Sequence, residues 1–178
     1  FLLSRELNIK VCPDRCAELE KLGFFPGPET IYMGLQLLFS LQQIKGKNVN
    51  SRPFEIKIIE TPGHTAGGVC YLLDEHLIAG DTLFVYGVGI CSLAGSNPVT
   101  LFHSLKKLMA QVPNHIHLLC GHNYGSEITT TIAEQKKANP FLLIEDEDTF
   151  VRYRMHVHDS TRTYPMSPMT LDEVNALL

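Results

Sequence analysis

Residues 54–82 read FEIKIIETPGHTAGGVCYLLDEHLIAGDT, and the change of period inside this stretch decides the fold. Phe54, Ile56 and Ile58 alternate with Glu55 and Lys57, the two-residue repeat of a strand with one buried face. Thr61-Pro62-Gly63-His64-Thr65 ends the repeat, since Pro and Gly interrupt a ladder. Val69–Leu73 is a second strand and His76–Ala79 a third, joined by Asp74-Glu75, and the third runs straight into Gly80-Asp81-Thr82. Working outward, His115–Cys120 is another strand, ending on Gly121-His122-Asn123-Tyr124. Helical periods cover Val99–Met109, residues near 130–138 and 146–154, and a last helix near 170–178, where Thr170-x-x-Glu173 matches a capping box. Upstream, Pro13–Leu22 and Glu29–Ile44 also carry helical patterns. The apolar side of the second (Ile31, Leu35, Leu38) reads as core packing before it reads as the wall of an acyl pocket. The sum is an α/β (α+β) fold: a mixed sheet from 54–59, 69–73, 76–80 and 115–120 with helices outside it.

A chain of 178 residues suits one domain, and 44% apolar against 19% charged residues excludes a disordered composition. The net charge of −4 provides no basic footprint, so nucleic acid and anionic membrane are not expected partners. No apolar stretch approaches the roughly 20 residues of a membrane span, and Ser4-Arg5-Glu6 follows the opening apolar residues too soon for a signal peptide. Five cysteines at irregular spacing (Cys12, Cys16, Cys70, Cys91, Cys120) read as reduced thiols of a cytoplasmic protein. Cys70 and Cys120 sit in apolar strand runs, where a thiol behaves as a small hydrophobe.

Three separate strands each end in a Gly-containing turn that presents one metal-competent side chain: His64, Asp81 and His122. Turns at the ends of rigid strands are where sites are commonly built. Two imidazoles and a carboxylate suit zinc, iron or manganese, and a carboxylate can bridge two metals. Each residue alone has a plainer reading: a surface histidine, a helix cap at Asp81, an ordinary turn at His122. Together, each at a strand end, they point to a metal site.

These motifs resemble the last three of the glyoxalase II-like branch of the metallo-β-lactamase superfamily: Thr61-Pro62-Gly63-His64-Thr65, Gly80-Asp81-Thr82-Leu83-Phe84 and Gly121-His122-Asn123-Tyr124. Glu134 to Asn139-Pro140-Phe141-Leu142 resembles the segment that follows them, so the likeness spans about residues 54–154. The resemblance implies part of an αββα sandwich over residues 1–154, followed by a polar tail, 155–178, with a short terminal helix. It implies two divalent metals, zinc foremost with iron or manganese as options. His64 would ligate the first, Asp81 would bridge both as the catalytic carboxylate, and His122 would ligate the second. The implied reaction is hydrolysis of an acyl thioester by a metal-bound hydroxide, the acyl group riding on coenzyme A, an acyl carrier protein or glutathione. Ile90 and Tyr124 are expected at the substrate. The alternatives are a mononuclear-iron persulfide dioxygenase and a metal-poor binding protein.

Two departures qualify the resemblance. The family's opening His-x-His-x-Asp-His motif is absent; with Phe1 in place of Met, the stretch is expected to belong to a longer chain. His156-Val157-His158-Asp159 repeats part of the spacing but lies in the polar tail, where a solvated histidine pair is expected. Glutathione-using relatives often carry Gly-Cys-Gly-Arg where this chain has Gly87-Val88-Gly89-Ile90, and Ile90 cannot grip a carboxylate as Arg does. That favours a pantetheine carrier.

Overall fold

The computed structural model describes residues 56–178; the expected helices at 13–22 and 29–44, with Cys12 and Cys16, lie outside the described residues. Its strands are β1 (Ile56–Glu60), β2 (Val69–Leu73), β3 (His76–Gly80), β4 (Leu83–Phe84), β5 (Gly87–Val88), β6 (His117–Cys120) and β7 (Thr130–Thr131). The helices are α1 (Pro98–Gln111), α2 (Ile132–Ala138), α3 (Pro140–Leu143), α4 (Glu147–Arg152), α5 (His158–Thr161) and α6 (Leu171–Leu177), with a π-helical turn at Tyr153–Val157 between α4 and α5. Five strands form one sheet in the order β1-β2-β3-β6-β7, and β4 with β5 forms a separate hairpin. All neighbours in the sheet are antiparallel except β3 and β6. A parallel pair needs a long crossover, and here the crossover contains the hairpin and α1.

The burial pattern follows from these positions. β3 is central, flanked by β2 and β6, and Leu77 to Ala79 are buried without alternation. α1 starts where Asn97 accepts a hydrogen bond from Thr100 N at 2.9 Å, with Pro98 in the first turn. It buries Leu101, Leu105 and Leu108 in a stripe at three- and four-residue spacing, and Lys106 and Lys107 face out. Both short helices α2 and α6 start with capping boxes, Thr131 with Glu134 and Thr170 with Glu173, the second as expected.

Two expectations are corrected. The buried side of β1 is the opposite one: Ile58 is 61% exposed and Ile59 is buried against the core. With isoleucine at both positions the alternation has two readings, and the tie is broken beyond the strand. Buried Thr61, two residues on from Ile59, lies 3.1 Å from Thr82 Oγ1 and 3.3 Å from Cys70 Sγ, which holds that face inward.

The second correction concerns 155–178. Met166, Val174 and His158 are buried, and main-chain bonds hold the segment: Met166 N donates to Tyr124 O, Ser126 N to Met166 O and Met169 N to Ala138 O. His156 is exposed as expected, but His158 packs between the rings of Phe141 and Tyr153. The fully buried Arg154 sits one helical turn back, donates to His158 Nδ1 at 3.1 Å and pairs with Asp159 Oδ1. A buried guanidinium must be paired, and this one draws the segment in.

Burial, reinforced by the Arg154 charge and opposed by Asp159, pushes the His158 pKa down from 6.5 to about 4. The unfolded chain therefore binds a proton between these values that the folded chain refuses. The associated stability is present above pH 6.5 and is lost as pH falls toward 4. Urea unfolding should show His158 removing about 1 kcal/mol between pH 7 and pH 5.5. His158→Leu should flatten the profile in that window; an unchanged slope would refute the assignment.

Candidate metal centre

The turn after β1 is pinned on both sides. Thr61 N donates to Gly68 O at 2.8 Å and closes the loop, while Asn97 N donates to Gly63 O at 2.7 Å and ties it to the start of α1. Gly63 has φ of 140°, and a Cβ there would stand 2.4 Å from the Leu101 backbone, so only glycine fits. Ser96 Oγ donates to His64 O at 2.9 Å and Ser104 Oγ to Pro62 O at 2.6 Å.

These constraints aim the His64 ring at Asp81. His64 Nδ1 lies 2.7 Å from Ile90 O. A carbonyl only accepts, so Nδ1 carries a proton, and Nε2 faces Asp81 Oδ2 at 3.8 Å. Asp81 Oδ1 accepts from His122 Nδ1 at 2.9 Å. Gly121 N donates to Gly80 O at 2.8 Å, which sets the turns after β3 and β6 side by side. His122 stacks on Tyr124 at 5.1 Å with the planes 6° apart, and Phe84 meets it edge-on at 6.0 Å.

The three strand-end residues thus meet on one carboxylate. Two are engaged with each other through the His122–Asp81 bond, and among the described residues no group of three or more His, Cys, Asp or Glu is arranged to hold a metal ion by itself. The donor chemistry nevertheless fits one. A histidine whose Nδ1–H is held by a backbone carbonyl and whose Nε2 faces a carboxylate has the orientation typical of a metal-ligating imidazole. Gly89 supports the same reading: a Cβ there would lie 2.6 Å from His64 Cγ and 2.3 Å from Asp81 O. The backbone passes this close only because the residue is glycine.

Ile90 is half-buried and acts at the centre through its carbonyl, while Tyr124 is 38% exposed beside His122. Several contributors escaped sequence reading. Asn139 Nδ2 donates to Gly87 O at 3.2 Å and to Gln135 Oε1 at 2.8 Å, and Gln135 Oε1 also accepts from Tyr86 N at 3.0 Å. This buried amide pair clamps the β4–β5 hairpin that leads to Gly89-Ile90, which explains why an Asn-Pro segment accompanies the metal motifs. Tyr86 has φ of 61° in that hairpin turn, a strained value for a tyrosine. His115-Ile116-His117 repeats the His-x-His spacing too, at the opposite end of β6 from His122, where both histidines are exposed.

The described residues also include three free thiols, at Cys70, Cys91 and Cys120. Burial pushes the thiols of Cys70 and Cys91 up to about 11 and that of Cys120 up to about 12. They stay protonated at neutral pH, as inert core thiols.

Residues 18–122 match the family model of the metallo-beta-lactamase superfamily, and the chain belongs to that superfamily. Within it, the chain is similar to the probable polyketide biosynthesis zinc-dependent hydrolase BaeB of Bacillus velezensis, 40% identical over 109 residues that cover 61% of this chain and 48% of BaeB. It is also similar to the hydroxyacylglutathione hydrolase of Brucella ovis, 49% identical over 73 residues that cover 40% of this chain and 27% of that one. The fold matches the crystal structure of ETHE1 from Myxococcus xanthus with a TM-score of 0.56 and 26% identity, covering 72% of this chain and 53% of that one. The chain spans about half the length of BaeB and less of the Brucella enzyme. Among the described residues no helix is long and apolar enough to cross a membrane.

Gly89→Ala should destabilise the protein by about 1–3 kcal/mol, the usual range for overpacking a filled site. The Cβ meets the Asp81 carbonyl and the His64 ring at once. Denaturant titration of the variant measures this, and wild-type stability would contradict the close approach.

Proposed function

We propose that this chain carries part of the active site of a metal-dependent thioester hydrolase. The observation that bears most weight is the Ile90 O–His64–Asp81–His122 array, in which one imidazole is locked in a ligand tautomer and two imidazoles share one carboxylate. The names of the relatives, a zinc-dependent hydrolase and a hydroxyacylglutathione hydrolase, support zinc and hydrolysis of a thioester. Bound divalent ions would supply polarisation of the thioester carbonyl and acidification of water. His64 and His122 would each hold an ion through nitrogen, with Asp81 between them, and further ligands would come from outside the described residues. The Ile90 carbonyl orients His64, and Tyr124 stacked on His122 offers an apolar face to the incoming acyl or thiol group.

Asp81→Ala in the full-length protein should abolish hydrolysis and release at least one metal, because both histidines are organised around this carboxylate. Metal analysis and turnover check it together. Normal turnover with a full complement would reduce Asp81 to a structural acceptor. One iron with oxygen consumption would move the assignment to persulfide dioxygenation, and no metal at all would move it to a binding protein.

The carrier is the finer part of the proposal. With Ile90 where glutathione-using relatives have arginine, the enzyme should favour pantetheine-linked acyl thioesters over S-D-lactoylglutathione. The absence of a bidentate grip on a carboxylate costs about 1.5–3 kcal/mol, roughly ten- to a hundredfold in kcat/KM. Ile90→Arg should recover part of this on the glutathione substrate, since the carbonyl that holds His64 belongs to the backbone and survives the change. Efficient glutathione-thioester cleavage beside inert acyl-pantetheine would overturn it.

A further inference from the structure

Beyond the metal centre, aromatic rings continue along the surface in one direction. From His122 the rings step to Tyr124 at 5.1 Å and to Tyr164 at 5.7 Å, and the Arg162 guanidinium lies 5.3 Å from the Tyr164 ring. Tyr124 is 38% exposed and Tyr164 56%, so both offer ring surface to a ligand. The segment cannot swing away, because Met166 exchanges main-chain hydrogen bonds with Tyr124 and Ser126. Its side chain fills the space beside Gly87, where a Cβ would stand 2.7 Å from the Met166 sulfur.

Arg162 also lines a cavity of about 240 Å³ walled by Tyr86, Tyr153, His158, Met166 and Met169. Among the described residues the charge there is unbalanced. Arg154 and Arg162 both pair with the single carboxylate of Asp159, and Arg154 is fully buried. His158, neutral at pH 7, adds no charge. One positive charge is left over, and it sits on Arg162, whose Nη1 bonds Asp159 at 3.1 Å and whose side chain is partly exposed. A guanidinium has five N–H donors in a fork that matches phosphate.

We propose that Arg162, with the Tyr124–Tyr164 ring pair, forms the subsite for the phosphate end of a phosphopantetheine arm whose thioester reaches the metal centre. The proposal rests on the thioesterase reading and deepens it: the anion is gripped on the 155–178 segment, with the two tyrosine rings between it and His122, in place of a grip at position 90. The rings would pack against the amide planes of the arm, and the guanidinium would pair with its phosphate. Phosphopantetheine is common to coenzyme A and to acyl carrier proteins, so either can present it.

The test is calorimetric binding of S-methyl phosphopantetheine, with S-methyl pantetheine as the arm lacking phosphate, to the full-length protein. Arg162→Gln should weaken the phosphorylated arm about tenfold and leave the unphosphorylated one alone, since the guanidinium serves only the phosphate. Arg162→Lys, which keeps the charge for Asp159, should retain most of the binding and guards against loss through misfolding. Tyr164→Leu should weaken both arms alike. Repetition with S-methyl coenzyme A and with a carrier protein bearing the S-methylated arm identifies the source: Arg162-dependent binding of either upholds the subsite, and of neither overturns it. Equal affinity of wild type and Arg162→Gln for the phosphorylated arm also overturns it. Arg162-dependent binding without thioester turnover would sink the hydrolase reading and leave the subsite; turnover with no dependence on Arg162 would do the reverse.

Discussion

The hydrogen bond from Gly121 N to Gly80 O extends the parallel pairing of β3 with β6 past its last strand residues, and the candidate centre depends on that extension. It sets the turns that carry Asp81 and His122 next to each other, and the imidazole reaches the carboxylate at 2.9 Å. Without that register neither motif has a partner: a one-residue slip in either strand turns its side chains to the other face of the sheet. His64 arrives from the other side, through β1 and β2, which pair antiparallel and in register up to Glu60 and Val69.

The rest of the fold acts on this junction by holding backbone rather than by adding ligands. Gly63 lets α1 approach the His64 turn, and Gly89 lets the chain that follows the hairpin pass close to the His64 ring. Buried Asn139 and Gln135 satisfy the carbonyls and the amide of the β4–β5 hairpin, which would otherwise be unpaired polar groups in the core. A site assembled this way is stiff in its supports while its donors remain partly open, with Asp81 30% and His122 36% exposed. That combination would suit a site that admits an ion and a substrate.

The segment after the last motif calls for a functional account because of how it is held. A solvated tail would have no reason to bury an arginine, yet Arg154 is buried, and its requirement for a counter-charge draws Asp159, His158 and Arg162 into one network. The network fixes the start of a path of rings that ends at His122. The packing of the segment and the placement of these rings therefore depend on the same residues.

Several features were legible in the sequence because they are local. The breaks at Pro62-Gly63, Gly80 and Gly121, the strand runs before them, the helix at α1 and the capping box at Thr170 follow from periodicity and turn chemistry within a few residues. The candidate donors were legible for the same reason, each lying in the turn just after a strand. What tertiary structure alone decided are the choices between equal local readings. Ile58 and Ile59 are chemically alike, and only the Thr61–Thr82–Cys70 cluster selects which one faces inward. The tautomer of His64 is set by Ile90, far along the chain, through a backbone atom that has no sequence signature. Residues 155–178 look polar when counted, but the energy of a buried ion pair and of main-chain bonds to the Tyr124 turn depends on distance in space, which composition does not encode.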